Sequence, residues 1–292
     1  MPSPRAAAIA RTRLDLEAIL SPWRNHKEKI CLVPTMGALH DGHLSLIRQA
    51  KKLSDRVIVS VFVNPRQFGP NEDFATYPRD EMGDVEKAES AGADVIFTPD
   101  INEMYPDGYQ TIVSVPKLAN CMDGTSRPGF FDGVATVVTK LFTQTRPDQA
   151  IFGEKDFQQL QIIKRLSLDL NLGVEVIGAP IIREADGLAM SSRNRYLSAD
   201  ERAVAGNLNV VLRETAQRLV DGAEIDAALQ TGRAQLEAAG LQPIDYFDLR
   251  IESTLAKIDS EALPRPCCAR LFVAVMLGRT RLIDNWPVHV EG

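Results

Sequence analysis

Residues 30–53 read ICLVPTMGALHDGHLSLIRQAKKL, and this stretch decides the fold of the first part of the chain. An apolar run, Ile30 to Val33, leads into a loop that contains Gly37. After the loop, apolar residues recur at helical spacing, at Leu44, Ile47, Ala50 and Leu53. The order predicts a strand, a loop and the start of a helix. Such a loop directs backbone N–H groups and the positive end of a helix dipole into one pocket, which suits a phosphate.

Two histidines, His40 and His43, lie three residues apart within this loop. Imidazole donors can follow negative charge as it develops on a phosphate, so the pattern favours chemistry on a nucleotide over binding alone. Zinc is the alternative interpretation of a histidine pair at this spacing. The sequence offers no evident third ligand, since His26 and His289 are its only other histidines. A purely structural role for both histidines is a further alternative.

The same alternation of strand and helix signals continues to Ile182. Strand-like runs lie at 57–63, 94–97, 149–152 and 174–182, and helical patterns at 80–91, 133–145 and 157–170. Short apolar strands separated by helices predict an α/β fold with a parallel sheet covered on both faces. The loops that follow the strands then lie along one edge, where ligands bind. We assign residues 1–184 to this domain.

The remaining residues, 185–292, predict a smaller α+β domain. Two helical stretches, 200–220 and 225–239, precede strand-like runs at 245–250, 270–277 and 280–284. Gly278 and Arg279 mark a tight hairpin between the last two runs.

Composition limits the classes of function. The chain has 292 residues, 45% hydrophobic and 25% charged, with a formal net charge of −6. This is ordinary for a globular protein, and the acidic balance argues against a broad nucleic-acid surface. No apolar run approaches the roughly 20 residues that span a bilayer, so no membrane role is expected. Four cysteines without zinc-ribbon spacing predict a reduced, cytoplasmic setting.

Three further loops carry polar groups that suit small-molecule chemistry. In FVNPRQFG (62–69), Asn64 and Gln67 offer donors and acceptors for a hydroxy acid. In GEKDFQQ (153–159), Lys155 can meet a phosphate and Asp156 can cap the following helix. In GLAMSSRN (187–194), two hydroxyls and Arg193 can grip a triphosphate and move with it. An ordinary turn, a capped charged loop and a flexible linker are the respective alternatives.

The order of these motifs closely resembles the pantoate–β-alanine ligase family, within the nucleotidylyltransferase superfamily. The resemblance runs from about Ile9 to Pro287 and is carried by PTMGALHDGH, FVNPRQFG, Tyr77-Pro78-Arg79, Arg127-Pro128-Gly129, GEKDFQQL, MSSRN and GRTRLIDN. It implies a Rossmann-like ATP domain, a smaller C-terminal domain and a homodimer. It also implies a two-step reaction: pantoate attacks ATP to give pantoyl adenylate and pyrophosphate, and β-alanine then displaces AMP.

The resemblance also implies roles for individual residues. His43, the family's proposed proton donor, and His40 would act with Lys155, Ser191, Ser192 and Arg193 on the charge at the phosphates. Gln67, Gln159 and Asn64 would bind pantoate, and Gln67 also β-alanine. ATP would be bound by the following residues: Met36, Gly37, Ala38, Leu39, His40, Asp41, Gly42, His43, Gly153, Glu154, Lys155, Asp156, Ile182, Met190, Ser191, Ser192 and Arg193. Mg²⁺ would accompany the ATP.

Three departures from the family pattern qualify this picture. Phe130 stands where many relatives have histidine, and Arg66 replaces a commonly uncharged residue. Gly83 occupies a place where some relatives have a metal-binding acid, so we expect Mg²⁺ to be held mainly by the triphosphate. Which of His40 and His43 carries the proton stays open.

Three other functions compete with the ligase. Another nucleotidylyltransferase would need a basic acceptor pocket in place of Gln67 and Gln159. A tRNA-binding synthetase fragment would need a basic anticodon-binding module, which this acidic chain does not offer. A non-catalytic nucleotide-binding regulator would bind ATP without exchanging pyrophosphate into it.

Overall fold

A computed structural model describes residues 6–70, 72–258 and 260–292 of the chain. Its strands are β1 (Ala8–Ala10), β2 (Ile30–Thr35), β3 (Arg56–Val61), β4 (Val95–Phe97), β5 (Gln149–Gly153), β6 (Glu175–Ala179), β7 (Ile244–Ile251), β8 (Cys267–Leu277) and β9 (Thr280–Val290). The α-helices are α1 (Arg13–Asn25), α2 (Asp41–Leu53), α3 (Glu81–Ala91), α4 (Ile101–Met104), α5 (Pro116–Ala119), α6 (Asp123–Ser126), α7 (Phe130–Thr145), α8 (Phe157–Asp169), α9 (Ala199–Ala205), α10 (Asn207–Val220) and α11 (Ile225–Ala238). Short 3₁₀ helices cover Pro65–Gln67, Glu154–Asp156 and Ser192–Tyr196.

The described residues divide into two compact units. The first holds the residues up to Glu154 together with Gln158–Pro180, and the second holds Lys155–Phe157 together with Ile181–Gly292. The predicted domain limits, 1–184 and 185–292, stay a prediction, and residues 1–5 of the first lie outside the described residues.

The first unit contains a parallel sheet with strand order β1-β4-β3-β2-β5-β6. Its apolar strands are buried because helices cover them, and α2 packs Ile47 and Ala50 against Val33 and Val59 of the sheet. The direction of strand order reverses between β2 and β5. The crevice at the carboxyl ends of those two strands is where open α/β sheets bind ligands.

The second unit contains an antiparallel sheet, β7-β8-β9, whose apolar face packs on α10 and α11. Leu277 pairs with Thr280 across the predicted hairpin, and Gly278 there has a φ of 56°, which glycine adopts without steric cost. None of the helices in the described residues is both long and apolar enough to cross a membrane.

The predicted fold class, an α/β domain with a smaller α+β domain, is confirmed. The bounds of several elements differ from the predicted ones; the strand predicted over 280–284, for example, is β9 (Thr280–Val290). The helix predicted over 200–220 is interrupted at Gly206, which ends α9 and precedes α10. The strand predicted over 174–182 ends at Ala179. The sequence analysis missed β1, because three residues give no usable periodicity.

Candidate active site

The loop between β2 and α2 is held from inside the protein by Asp84, a buried residue in the first turn of α3. The backbone N–H of Ala38 donates to Asp84 Oδ2 at 2.8 Å, and that of Leu39 donates to Oδ1 at 2.7 Å. Gly37 has a φ of 81° and approaches so closely that a Cβ there would lie 2.7 Å from Asp84 Oδ2. Glycine is therefore required at 37 by backbone conformation and by contact.

This arrangement corrects one expectation about the loop. Besides the two N–H groups bound by Asp84, the N–H of Gly37 donates to Thr35 Oγ1 at 3.2 Å. The N–H of His40 donates to His43 Nδ1 at 3.4 Å. The predicted supply of free backbone N–H groups is thus wrong for residues 37–40, because folding already satisfies them. The groups that can meet a phosphate are the two imidazoles and the first turn of α2.

The histidine pair has a defined geometry. The ring centroids of His40 and His43 are 4.1 Å apart, and both residues are half-buried. A backbone N–H can only donate, so Nδ1 of His43 accepts in its contact with His40 and carries no proton. The neutral ring of His43 therefore carries its proton on Nε2, where it is a hydrogen-bond donor.

The turn after β3 contains Asn64 and Gln67, and the side chain of Asn64 is hydrogen-bonded within the protein. Its side chain is fully buried. Its Oδ1 accepts from Tyr105 Oη at 2.9 Å and from the Arg66 backbone N–H at 3.3 Å. Its Nδ2 donates to Gln67 Oε1 at 2.9 Å and to the Gly133 carbonyl at 3.1 Å. Both ends of the Asn64 amide are thus hydrogen-bonded inside the protein, whereas Gln67 retains 9% of its surface exposed. The predicted contact of Asn64 with pantoate stays a prediction.

Phe130, one of the departures from the family pattern, supports the same turn. The centroid of its ring lies 3.6 Å from the guanidinium carbon of Arg127. The Nη2 group of Arg127 donates to the Gln67 carbonyl at 3.2 Å. Arg127 also pairs with Glu72. Phe130 thus provides a stacking surface for Arg127.

The two adjacent glutamines of α8 have different environments. Gln158 is buried, and its Nε2 donates to the carbonyls of Leu118 and Cys121, each at 2.9 Å, while its Oε1 accepts from the Asp123 N–H at 3.2 Å. Gln158 therefore fixes the segment that contains α5 and α6. Gln159, the residue predicted to bind pantoate, is partly exposed and does not share that structural task.

In the second unit, the motif RLIDN organises the candidate phosphate-binding residue Lys155. Asn285 Nδ2 donates to the Lys155 carbonyl at 3.0 Å, and Asn285 Oδ1 accepts from Arg270 at 2.6 Å. The Lys155 Nζ lies 3.6 Å from the Asp156 carboxylate, so Asp156 offers a counter-charge to this lysine. The backbone of Lys155 is thereby fixed while its side chain keeps 20% exposure.

The loop that leads to the predicted Ser-Ser-Arg site is anchored by a buried ion pair. Arg183 donates to both oxygens of Asp284, at 2.7 and 3.0 Å, and the side chain of Asp284 is 0% exposed. Arg183 also donates to the Gly187 carbonyl at 3.0 Å. Asp284 lies in the motif GRTRLIDN, and no pattern in the sequence indicates that it pairs with Arg183.

Further contacts close this loop upon itself. The N–H of Met190 donates to the Ile182 carbonyl at 3.0 Å, and Asn194 Nδ2 donates to Glu184 at 2.7 Å. Arg202 pairs with Glu184 and Asp186, and its hydrogen bonds hold the pKa of Asp186 below its usual value. Ser191 Oγ caps the short helix 192–196 by accepting from the Arg193 N–H at 3.3 Å. These contacts argue against the alternative of a flexible linker.

No group of three metal-ligating side chains able to hold a metal ion occurs among residues 6–70, 72–258 and 260–292. The Asp84 carboxylate binds two N–H groups with its two oxygens, so it is committed to the loop.

Comparisons with known proteins agree on one family. A family model described as Pantoate-beta-alanine ligase matches residues 8–287. The pantothenate synthetase of Rhodospirillum rubrum is 53% identical over 281 residues, which cover 96% of this chain and 99% of the relative. That of Sphingopyxis alaskensis is 52% identical over 280 residues, with 96% and 99% covered.

Solved structures give the same result. The crystal structure of pantothenate synthetase from Thermus thermophilus matches with a TM-score of 0.90 and 41% identity, covering 97% of this chain and 100% of that one. The pantoate-beta-alanine ligase from Francisella tularensis, complexed with beta-gamma ATP and beta-alanine, matches with a TM-score of 0.79 and 35% identity, covering 97% and 98%.

Proposed function

Since this chain belongs to the pantoate-beta-alanine ligase family, we propose that the histidine pair at the carboxyl end of β2 is its reaction centre. The enzyme is an ATP-dependent ligase that joins pantoate and β-alanine in an amide bond, through pantoyl adenylate. One observation carries the proposed centre. His43 is half-buried and lies at the carboxyl end of β2, where the strand order reverses. Its Nδ1 accepts the His40 N–H, so its Nε2–H is the donor on the opposite side of the ring.

The first chemical step needs charge stabilisation more than a base. The pantoate carboxylate is already a nucleophile at neutral pH. Its oxygen attacks the α-phosphorus of ATP, the bond to the bridging oxygen breaks, and pyrophosphate leaves. Negative charge grows on the α-phosphate and on the leaving group, where donors from His40 and His43 stabilise it. In the second step the amine of β-alanine attacks the acyl carbon, loses a proton and displaces AMP.

The remaining roles follow the family resemblance, each unit taken by itself. In the first unit, Gln67 and Gln159 bind pantoate and Gln67 also binds β-alanine, while residues 36–43 and Gly153 and Glu154 bind ATP. In the second unit, Lys155, Asp156, Ile182, Met190, Ser191, Ser192 and Arg193 bind ATP. Lys155 and Arg193 supply positive charge toward the phosphates.

Pyrophosphate exchange into ATP tests the proposal. We expect exchange of radiolabelled pyrophosphate that depends on pantoate and does not need β-alanine, because adenylation precedes amide formation. Replacement of pantoate by an analogue without the carboxylate is the control and should give no exchange. ATP binding without pantoate-dependent exchange would instead indicate a nucleotide-binding regulator.

We propose that Mg²⁺ is bound by the ATP triphosphate rather than by protein side chains. The support is the commitment of both Asp84 oxygens to backbone N–H groups. Asp84→Asn puts an NH₂ group against one of those N–H donors, so we expect a loss of exchange activity of about tenfold or more. The Mg²⁺ concentration that gives half-maximal exchange should stay unchanged. A clear rise in that concentration would identify Asp84 as a metal ligand.

We also propose a homodimer in which the apolar surface at Ile112 takes part. Ile112 is 60% exposed and lies between Tyr109 and α5, in a segment that belongs to no described helix or strand. Ile112→Asp should shift the sedimentation coefficient from dimer to monomer, because a charge would be buried in the interface. Met82→Asp, at another exposed apolar residue (77% exposed), is the matched control and should leave the dimer intact.

A cytoplasmic location is proposed on cysteine chemistry. Cys31 and Cys267 are buried free thiols, and Cys268 is an exposed one. Burial raises the pKa of Cys31 to about 12, so this thiol stays protonated and unreactive. Exposed free thiols are typical of a reducing compartment. Cell fractionation followed by activity measurement checks the location.

A further inference from the structure

The amide of Asn64 has only one orientation that its neighbours accept. The backbone N–H of Arg66 can only donate, so the Asn64 atom that faces it at 3.3 Å is the oxygen. The Gly133 carbonyl can only accept, so the atom that faces it at 3.1 Å is the nitrogen. Gly133 has no Cβ, and one built there would collide with the Arg66 carbonyl, which allows α7 to come this close.

The orientation of Asn64 then fixes the orientation of Gln67. The second hydrogen of Asn64 Nδ2 points at the end of the Gln67 side chain, 2.9 Å away, and only an oxygen can accept it. Gln67 must therefore present its NH₂ group on the other side. That NH₂ lies 3.0 Å from the sulfur of Met36, a weak acceptor that a carboxylate can displace.

This orientation matches the chemistry of the substrates. Pantoate and β-alanine both carry a carboxylate, which only accepts hydrogen bonds. If the proposed contact of Gln67 is with a substrate carboxylate, an amide turned the other way would direct its carbonyl oxygen at that carboxylate, and the two oxygens would repel each other. Under this proposed role, substrate binding depends on a side-chain orientation that Gln67 cannot set by itself.

Tyr105 holds the other end of this chain of hydrogen bonds. Its Oη donates to Asn64 Oδ1 at 2.9 Å. Its ring contacts two cations, with Arg66 5.3 Å and Lys140 5.9 Å from the ring centroid, and it meets Tyr109 edge-on at 5.1 Å. Burial raises the pKa of Tyr105, so its hydroxyl remains a donor throughout the physiological range.

We infer that Tyr105 is a positioning residue for substrate binding: acting through Asn64, it keeps the Gln67 NH₂ group directed at the substrate carboxylate. The inference rests on the proposed role of Gln67 in binding pantoate and β-alanine. Tyr105 acts at one remove, since its hydrogen bond is to Asn64 and that of Asn64 is to Gln67. Its hydroxyl is a second donor to the Asn64 oxygen that also accepts from the Arg66 N–H, so it holds in position an amide whose orientation Arg66 and Gly133 set.

Tyr105→Phe removes the hydroxyl and keeps the ring with its cation contacts. We expect the KM for pantoate and for β-alanine to rise about 3- to 10-fold, the effect of one lost buried hydrogen bond, with the KM for ATP unchanged. Tyr109→Phe is the matched control, since Tyr109 contacts the same cations, and its KM values should equal those of the unmodified enzyme. Equal changes in both variants, or a rise in the KM for ATP as well, would overturn the inference.

A double-mutant cycle separates positioning from general support of the fold. Gln67→Ala should by itself raise the KM for pantoate. Adding Tyr105→Phe to Gln67→Ala should raise it no further, because the group that Tyr105 positions is gone. Additive effects of the two substitutions would refute the relay while leaving Gln67 a substrate ligand. An unchanged KM in Gln67→Ala alone would refute the proposed role of Gln67, and the relay with it.

Discussion

Replacing His43 by alanine is expected to lower pantoate-dependent pyrophosphate exchange by about 10²–10³-fold, the usual cost of removing one donor aimed at developing charge. The melting temperature should change little. His43 is half-buried, and the hydrogen bond that it accepts from the His40 N–H is long, at 3.4 Å, so the loss of this bond costs less than about 1 kcal/mol. The loop keeps its anchors on Asp84 in the variant.

Two amide replacements locate the effect on one nitrogen. Asparagine places an acceptor near Nδ1, so His43→Asn keeps the contact with His40 but loses the donor at Nε2. Glutamine places its NH₂ near Nε2, so His43→Gln should retain more activity than His43→Asn. His26→Ala, at an exposed histidine, is the control and should be fully active. A large drop in melting temperature for His43→Ala would show that the histidine is structural.

Replacing Arg183 by methionine is expected to cause the largest loss of stability, about 3–5 kcal/mol. The substitution leaves the Asp284 carboxylate, 0% exposed, without its counter-ion. The loss is measured as the difference in the free energy of unfolding between the variant and the unmodified protein, from denaturation with urea. Arg213→Met, at an exposed arginine of α10, is the control and should lie within about 0.5 kcal/mol of the unmodified protein.

The loss should depend on pH in a defined direction. Burial raises the pKa of Asp284 and Arg183 opposes that rise, so removing Arg183 raises the pKa further. Asp284 then binds its proton more tightly in the folded variant than in the unfolded chain. The stability of the variant therefore falls as the pH rises from the pKa of Asp284 in the unfolded chain to its higher pKa in the folded variant. The deficit of Arg183→Met relative to the unmodified protein should therefore be smaller at pH 5 than at pH 8.

A double variant tests whether the unpaired charge of Asp284 causes the loss of stability. Arg183→Met with Asp284→Leu removes both charges and should recover part of the stability lost in Arg183→Met. Recovery is only partial, because Asp284 Oδ1 also accepts the Asn285 N–H at 2.7 Å. If the double variant were less stable than Arg183→Met, the buried charge would not be the cause of the loss.

Much of the site could be predicted because its signals are local. The apolar periods of 30–33 and 44–53 determined β2 and α2, and Gly37 between them indicated the loop that bears the histidines. The same holds for Gly278, whose hairpin joins β8 and β9. In each case a few consecutive residues carry the information. The repeat of apolar side chains shows within a single helix or strand, and the freedom of glycine to adopt a positive φ shows at a single residue.

The partners of buried polar groups could not be predicted in this way. Asp84 binds the Leu39 N–H across 45 residues of sequence, Tyr105 reaches Asn64 across 41, and Arg183 reaches Asp284 across 101. A buried donor must find an acceptor, but its own sequence neighbourhood does not say which one.

The sequence by itself therefore determined the fold class, the order of the elements and the loops that carry the chemistry. Only the tertiary structure decided that two of the loop's N–H groups bind Asp84, that the amide of Asn64 is hydrogen-bonded to Gln67, and that Asp284 anchors the loop after β6. The physical reason is the same each time. Apolar patterning is repeated along an element, whereas a buried hydrogen bond is made once, between residues that meet only in the folded protein.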